Sequence, residues 1–124
     1  MTGYEVKILE SSMELSAKQR IAMKDTSNAI KLDEAAETDS VVIRPTGWVT
    51  LGIHNEKSEN KDYTLYLIID DNNNKYITGS ESFFTSFMDI YNEMKNEEED
   101  WLLNIYKLDS KNYKGKKFIT CSII

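Results

Sequence analysis

The sequence predicts an all-β protein with short helices, its strands curled into a small β-barrel behind an N-terminal strand–helix arm. Three observations point there. From Val41 onward, apolar residues alternate in short runs bounded by Gly, Asn, Asp and Lys clusters, the pattern of half-buried strands and tight turns. One stretch with helical spacing, 80–95, interrupts these runs. Finally, Pro45, Gly47 and Gly52 fall within the first long run, where a strand must bend to pass around a closed sheet.

With 124 residues, 40% hydrophobic and 29% charged, the chain suits one domain with a modest core. The expected division is an arm over 1–40 and a barrel over 41–124. Tyr4–Leu9 (YEVKIL) alternates as a first strand. Leu15–Asp25 reads as a short helix, with Ser16 and Gln19 at capping-box spacing. In 26–40 the pattern is least legible; NAIKLDEAA fits a helix extension or an irregular arm.

VVIRPTGWVTLGIHNE supplies the long bent strand, and KSENKD the next turn. YTLYLIID and KYITG form a hairpin across DNNNK, whose asparagines tolerate left-handed backbone. In SESFFTSFMDIYNEMK, Phe83, Phe87, Ile90, Tyr91 and Met94 share one helical face, expected to be core. Thr78 with Glu81, or Ser80 alone, can cap that helix. EEED (Glu97–Asp100) is a solvated turn, and WLLNIYKL and KKFITCSII are the last strands, joined through DSKNYKG. The resulting order, three strands, a helix, then two strands, is the connectivity of an OB-fold. That is a five-stranded Greek-key barrel with its helix between strands three and four.

Catalytic and metal chemistry find little material. His54 is the only histidine and Cys121 the only cysteine, so neither a nucleophile–base pair nor a zinc ligand set is evident. Asp70–Glu81 lacks the central glycine of a calcium-binding loop. No enzyme activity, cofactor or metal is expected. MTGYEVKILE lacks the flanks of a signal peptide, and no apolar run nears the ~20 residues that span a bilayer. A cytoplasmic protein without membrane contact is expected.

Strand periodicity puts Val49, Leu51 and Ile53 on one side, with Trp48, Thr50, Gly52 and His54 on the other. Leu103 and Ile105 should point inward, as should Ile119, Cys121 and Ile123. Tyr106 and Phe118 then lie on the opposite side with Trp48, and with Tyr66 or Tyr63 from the next strand. Aromatic rings on an open strand face can stack bases whatever their sequence. Arg44, Lys107, Lys111, Lys114, Lys116 and Lys117 stand near them in sequence and could track phosphates. With His54 and Tyr113 these form the candidate nucleic-acid site. A net charge of −6 argues against coating duplex DNA but leaves a local basic groove for single strands. The competing reading is that the arm covers these rings and the lysines merely protect an edge strand.

KYITGSESFFTSFMDIYNEM, followed by IYK, SKNYKGK and FITCSI, resembles the small single-stranded DNA-binding (SSB) proteins of tailed phages infecting Gram-positive bacteria. Short SSB proteins of mobile elements belong to the same class. The resemblance covers 41–124 and the strand-then-helix start. It implies an OB-fold that coats and protects single-stranded DNA in replication or recombination, in the host cytoplasm if phage-encoded. It also places Trp48, Tyr106, Tyr113, Phe118 and the lysines of KNYKGKK at positions where such proteins hold DNA. Many members recruit partners through an acidic tail; the SII ending gives no such expectation here. Replication or recombination proteins remain candidate partners, and both monomer and homodimer stay open. A rival function is an acidic protein-interaction module or inhibitor, mimicking nucleic acid through its charge and Glu97–Asp100.

Overall fold

The computed structural model describes residues 3–109 and 115–124. In chain order its elements are β1 (Tyr4–Ser11), α1 (Ala17–Lys24), β2 (Ile30–Lys31), α2 (Leu32–Ala35), β3 (Val41–Ile43), β4 (Pro45–Asn55), β5 (Asp62–Asp70), β6 (Lys75–Thr78), α3 (Glu81–Met94), β7 (Leu103–Asp109) and β8 (Lys117–Ile123). The strands form a five-stranded sheet in the order β1-β4-β5-β6-β2 and a three-stranded sheet in the order β3-β7-β8.

Local chemistry sets the punctuation. Ser16 and Gln19 close a reciprocal capping box on α1, as the spacing predicts. Ser80 caps α3, its side chain accepting from the Phe83 N–H. Thr78 serves the same junction differently: its hydroxyl donates to Asp33 at 2.7 Å and accepts from the Ser80 N–H at 3.2 Å. At the β5–β6 turn, the Asp70 carboxylate accepts from the backbone N–H groups of Asn72 at 2.9 Å and Asn74 at 2.8 Å. Asn73 takes the left-handed conformation that asparagine tolerates, with φ 63°. The Tyr76 hydroxyl donates to the same carboxylate at 2.8 Å, so a buried acid is satisfied from several sides.

The expected bend is present. β3 and β4 run on from each other, interrupted at Arg44, and the ladder shifts register between Pro45 and Gly47. β3 belongs to the small sheet and β4 to the large one, so one stretch of chain links both. Gly47 gives close approach rather than a special torsion: a Cβ there would lie 2.2 Å from the terminal methyl of Met13, which would have to move aside.

Closure into a barrel is not observed, which corrects that part of the expected fold. The arm is the physical reason. β2 pairs in parallel with β6, occupying the edge against which the last strand would have closed, while β1 extends the opposite edge beside β4. The arm therefore packs on its own chain. Its least legible part even supplies core, since Leu32 is wholly buried and Ala36 nearly so.

There are two cores where one barrel interior was expected. Val49, Leu51, Ile53, Leu67, Ile69 and Ile77 pack on one side of the large sheet, under Leu15, Met23 and Ala29. On its other side, Ile68 and Tyr76 meet Phe83, Phe84 and Phe87 of α3, together with Leu103, Ile105, Ile119 and Cys121 of the small sheet. The inward sets of β4 and β7 are both buried as periodicity predicts, but on opposite sides of β4–β5–β6. Among the described residues, no helix is long and apolar enough to cross a membrane.

Candidate functional site

The small sheet sorts its side chains cleanly. Register pairs Val41 with Ile105 and Ile105 with Cys121, all on the face toward α3. The opposite face takes Val42, Asn104 and Ser122 in one row, Tyr106 and Thr120 in the next, and Leu108 and Phe118 in the last. Tyr106 and Phe118 are diagonal neighbours on neighbouring strands, a spacing of about 7–8 Å. Phe118 is 45% exposed, and Val42 and Leu108 are equally open, so this face carries an exposed apolar strip, with Tyr106 half-buried beside it. Within it, Asn104 Oδ1 is buried by its neighbours and has no hydrogen-bond partner among the described residues.

The other two predicted rings lie elsewhere. Tyr66 stacks on Phe84 with centroids 4.5 Å apart, and Trp48 meets the same ring edge-on at 5.6 Å. Both are packed against the core beneath α3, which corrects the expectation that they face outward or line a groove. The cause is Phe84, which the expected helical face omitted. It is buried, and it widens the apolar stripe of α3 enough to reach across to β4 and β5. Burial raises the Tyr66 pKa, with a further push from Glu81.

The predicted cations divide as well. Arg44 pairs with Asp100. Lys107 is turned to the α3 side of its strand, its side chain 13% exposed, and donates to Glu37. That hydrogen bond and the charge behind it hold the Glu37 carboxyl below its usual range, with Lys117 adding a smaller pull. Lys117 opposes Asp109 at the start of β8, directly before Phe118, and Lys116 precedes it. Lys111, Tyr113 and Lys114 fall outside the described residues. They belong to the segment joining the strand of Tyr106 to the strand of Phe118.

His54 is on neither site. It is on β4, with Nδ1 2.7 Å from Asp62 and Nε2 2.6 Å from Glu56. Hydrogen bonds to Asp62, then to Glu56, raise its pKa, because both ring nitrogens must carry protons to serve two carboxylates. It edges an open groove of about 530 Å³ lined by Glu5, Lys7, Leu9, Gly52 and Thr64 among others. The acids and bases there are engaged with one another, which leaves the groove a poor phosphate track. Sequence reasoning missed this groove because its lining comes from three strands, β1, β4 and β5, whose juxtaposition no local pattern announces.

Cys121 is buried, and that burial pushes its thiol up to about 11, far from a reactive thiolate. No cluster of three or more His, Cys, Asp or Glu is arranged to hold a metal among the described residues. No family model, curated protein or solved structure matches the chain.

Proposed function

We propose that the chain binds single-stranded DNA without sequence preference, coating and protecting it during replication or recombination. The contact surface is the outer face of β3–β7–β8. One observation carries this reading: the exposed Phe118 and the half-buried Tyr106 share the sheet face turned away from α3, at the end from which the lysine-rich segment 111–117 runs in sequence. Rings there can stack bases and the adjoining ammonium groups can pair phosphates, a combination suited to unpaired strands and tolerant of sequence. Strand order from β3 onward supports an OB-type connectivity, read here as an opened variant whose closing edge the arm has taken.

Fluorescence anisotropy with a labelled oligothymidine tests the proposal. Stacking contributes ~1–3 kcal/mol per base, so Tyr106→Ala and Phe118→Ala should each weaken binding about 5- to 150-fold. Replacing Lys116 and Lys117 by alanine should weaken it further at low salt and flatten the salt dependence. Trp48→Phe should leave affinity nearly unchanged, since Phe84 stands over that ring. Equal affinity of the wild type and a Tyr106→Ala/Phe118→Ala double variant overturns the assignment of the face. No binding at low salt would instead favour the acidic interaction module suggested by the net charge of −6.

A further inference from the structure

β1 is the terminal strand of the large sheet, and its outer edge has no strand beside it among the described residues. The Glu56 N–H donates to the Gly3 carbonyl at 2.7 Å, which fixes the phase of the β1–β4 ladder. Antiparallel ladders alternate, so the main-chain groups of Gly3, Glu5 and Lys7 turn toward β4. Those of Tyr4, Val6 and Ile8 turn off the edge. Side chains sort separately. Glu5 and Lys7 stand on the groove side, their side chains 62% and 68% exposed, while Val6 and Ile8 pack on the second core. Tyr4 lies on the same side as Val6 and is 37% exposed.

We propose that β1 pairs antiparallel with β1 of a second copy of this chain, about a two-fold axis at Val6. One sheet then runs through both chains. In this register Val6 exchanges hydrogen bonds with its own counterpart, and Tyr4 does so with Ile8. Every outward N–H and C=O of the segment finds a partner. Glu5 falls opposite Lys7 of the other copy, twice by symmetry, at non-hydrogen-bonded positions where side chains approach most closely. On the other side, Tyr4 covers Ile8 of the second copy and Val6 meets Val6. Charge selects this alignment over its neighbours. A two-residue shift one way sets Glu5 against Glu5, and the other way sets Lys7 against Lys7. A one-residue slip turns the outward groups against main chain already bonded to β4 and puts side chains on the wrong faces. Larger shifts shorten the pairing or meet the bulge between Ile8 and Glu10. Edge strands usually carry charge to prevent such contacts; here the charge is self-complementary.

Size-exclusion chromatography with light scattering, on the full chain, tests this. The wild type should elute at twice the chain mass. Lys7→Glu, which opposes Glu5 with a second glutamate, should halve that mass, as should Glu5→Lys. Mixing the two variants should restore the doubled mass, because the lysine pair of one chain then meets the glutamate pair of the other. Circular dichroism spectra of both variants should match the wild type, since the replaced side chains are exposed, while the wild-type Tm should rise with protein concentration and that of each variant alone should not. A wild type that stays at single-chain mass up to the highest soluble concentration overturns the proposal. So does a Lys7→Glu variant that keeps the doubled mass, or a mixture that stays at single-chain mass.

Discussion

On the large sheet, Leu51 and Leu67 look one way into the core under Leu15 and Met23, while Trp48 and Tyr66 look the other way onto Phe84. On the small sheet, Ile105 and Cys121 look toward α3, while Tyr106 and Phe118 look away from it, the first half-buried and the second exposed. Both sheets alternate in sequence, and both put an aromatic set opposite an aliphatic set. What separates them is the neighbour. A ring on the large sheet is structural because a helix with one more phenylalanine than expected reaches it. A ring on the small sheet is available because the same helix lies on the other side. Alternation assigns faces; it does not say which face the rest of the chain will occupy.

The sharpest way to break this comparison is to truncate one phenylalanine on each side of it. Phe87 is fully buried between the sheets, so Phe87→Ala should destabilise the fold by about 3–5 kcal/mol through lost burial and the cavity left behind. Phe118→Ala removes a half-exposed ring and should change stability by less than about 1 kcal/mol. Urea unfolding of the two variants checks both. Comparable losses would mean that the outer face is packed against something and is not an open platform.

Asp70 gives the next largest effect and probes the joint between the sheets. Burial alone would raise its pKa. Hydrogen bonds from Tyr76, Asn74 and the backbone of Asn72 outweigh that, and the net shift is downward. The same contact and burial push the Tyr76 hydroxyl up to about 12. Asp70→Ala leaves that hydroxyl, two backbone amides and the Asn74 side-chain amide without their acceptor, a loss of roughly 1–3 kcal/mol or more for a buried group. The sign with pH follows from the lowered folded pKa. Stabilisation is complete above the ordinary carboxylate range and disappears as pH falls through the folded value. Melts between pH 7 and pH 3 should therefore show the wild type losing its advantage over the alanine variant.

Much of the fold was legible because its determinants are local. The Ser16–Gln19 box, the asparagine turn after Asp70, the bend at Pro45–Gly47 and the stripe of α3 each follow from neighbours in sequence. Within the arm, the first strand and the capped helix were legible, but 26–40 was not, because its contributions are single residues in polar surroundings. Leu32 stands alone in KLDEAA, so no periodicity announces a wholly buried side chain. The parallel pairing of Ile30–Lys31 with β6, which stands where barrel closure would be, rests on two residues distant in sequence. At the candidate site, Tyr106 and Phe118 could be placed on one face from parity alone. Trp48 and Tyr66 could not be separated from them, because the separation depends on how far Phe84 reaches. Lys107 looked like a phosphate contact until its partner, Glu37, arrived from the illegible stretch.

The smallest effect examines an open part of the large sheet, the end of β4 and β5 around Gly52, His54 and Thr64. His54 there faces Asp62 from β5, Glu56 from the following turn, and Glu5 and Lys7 from β1, with Lys61 pairing Glu56 at 3.3 Å. Its pKa is raised, so its contribution is complete below about 6.5 and is lost as pH rises through the folded value. Thermal melts from mildly acidic to mildly alkaline pH should show a falling Tm for the wild type across that window. His54→Gln, which can hydrogen-bond but cannot gain a proton, should flatten this fall. Because the pair is solvent-screened, the difference should be small beside that of Phe87→Ala. A slope unchanged in His54→Gln would mean that the two carboxylates hold a neutral ring, and that charge does not organise this open end.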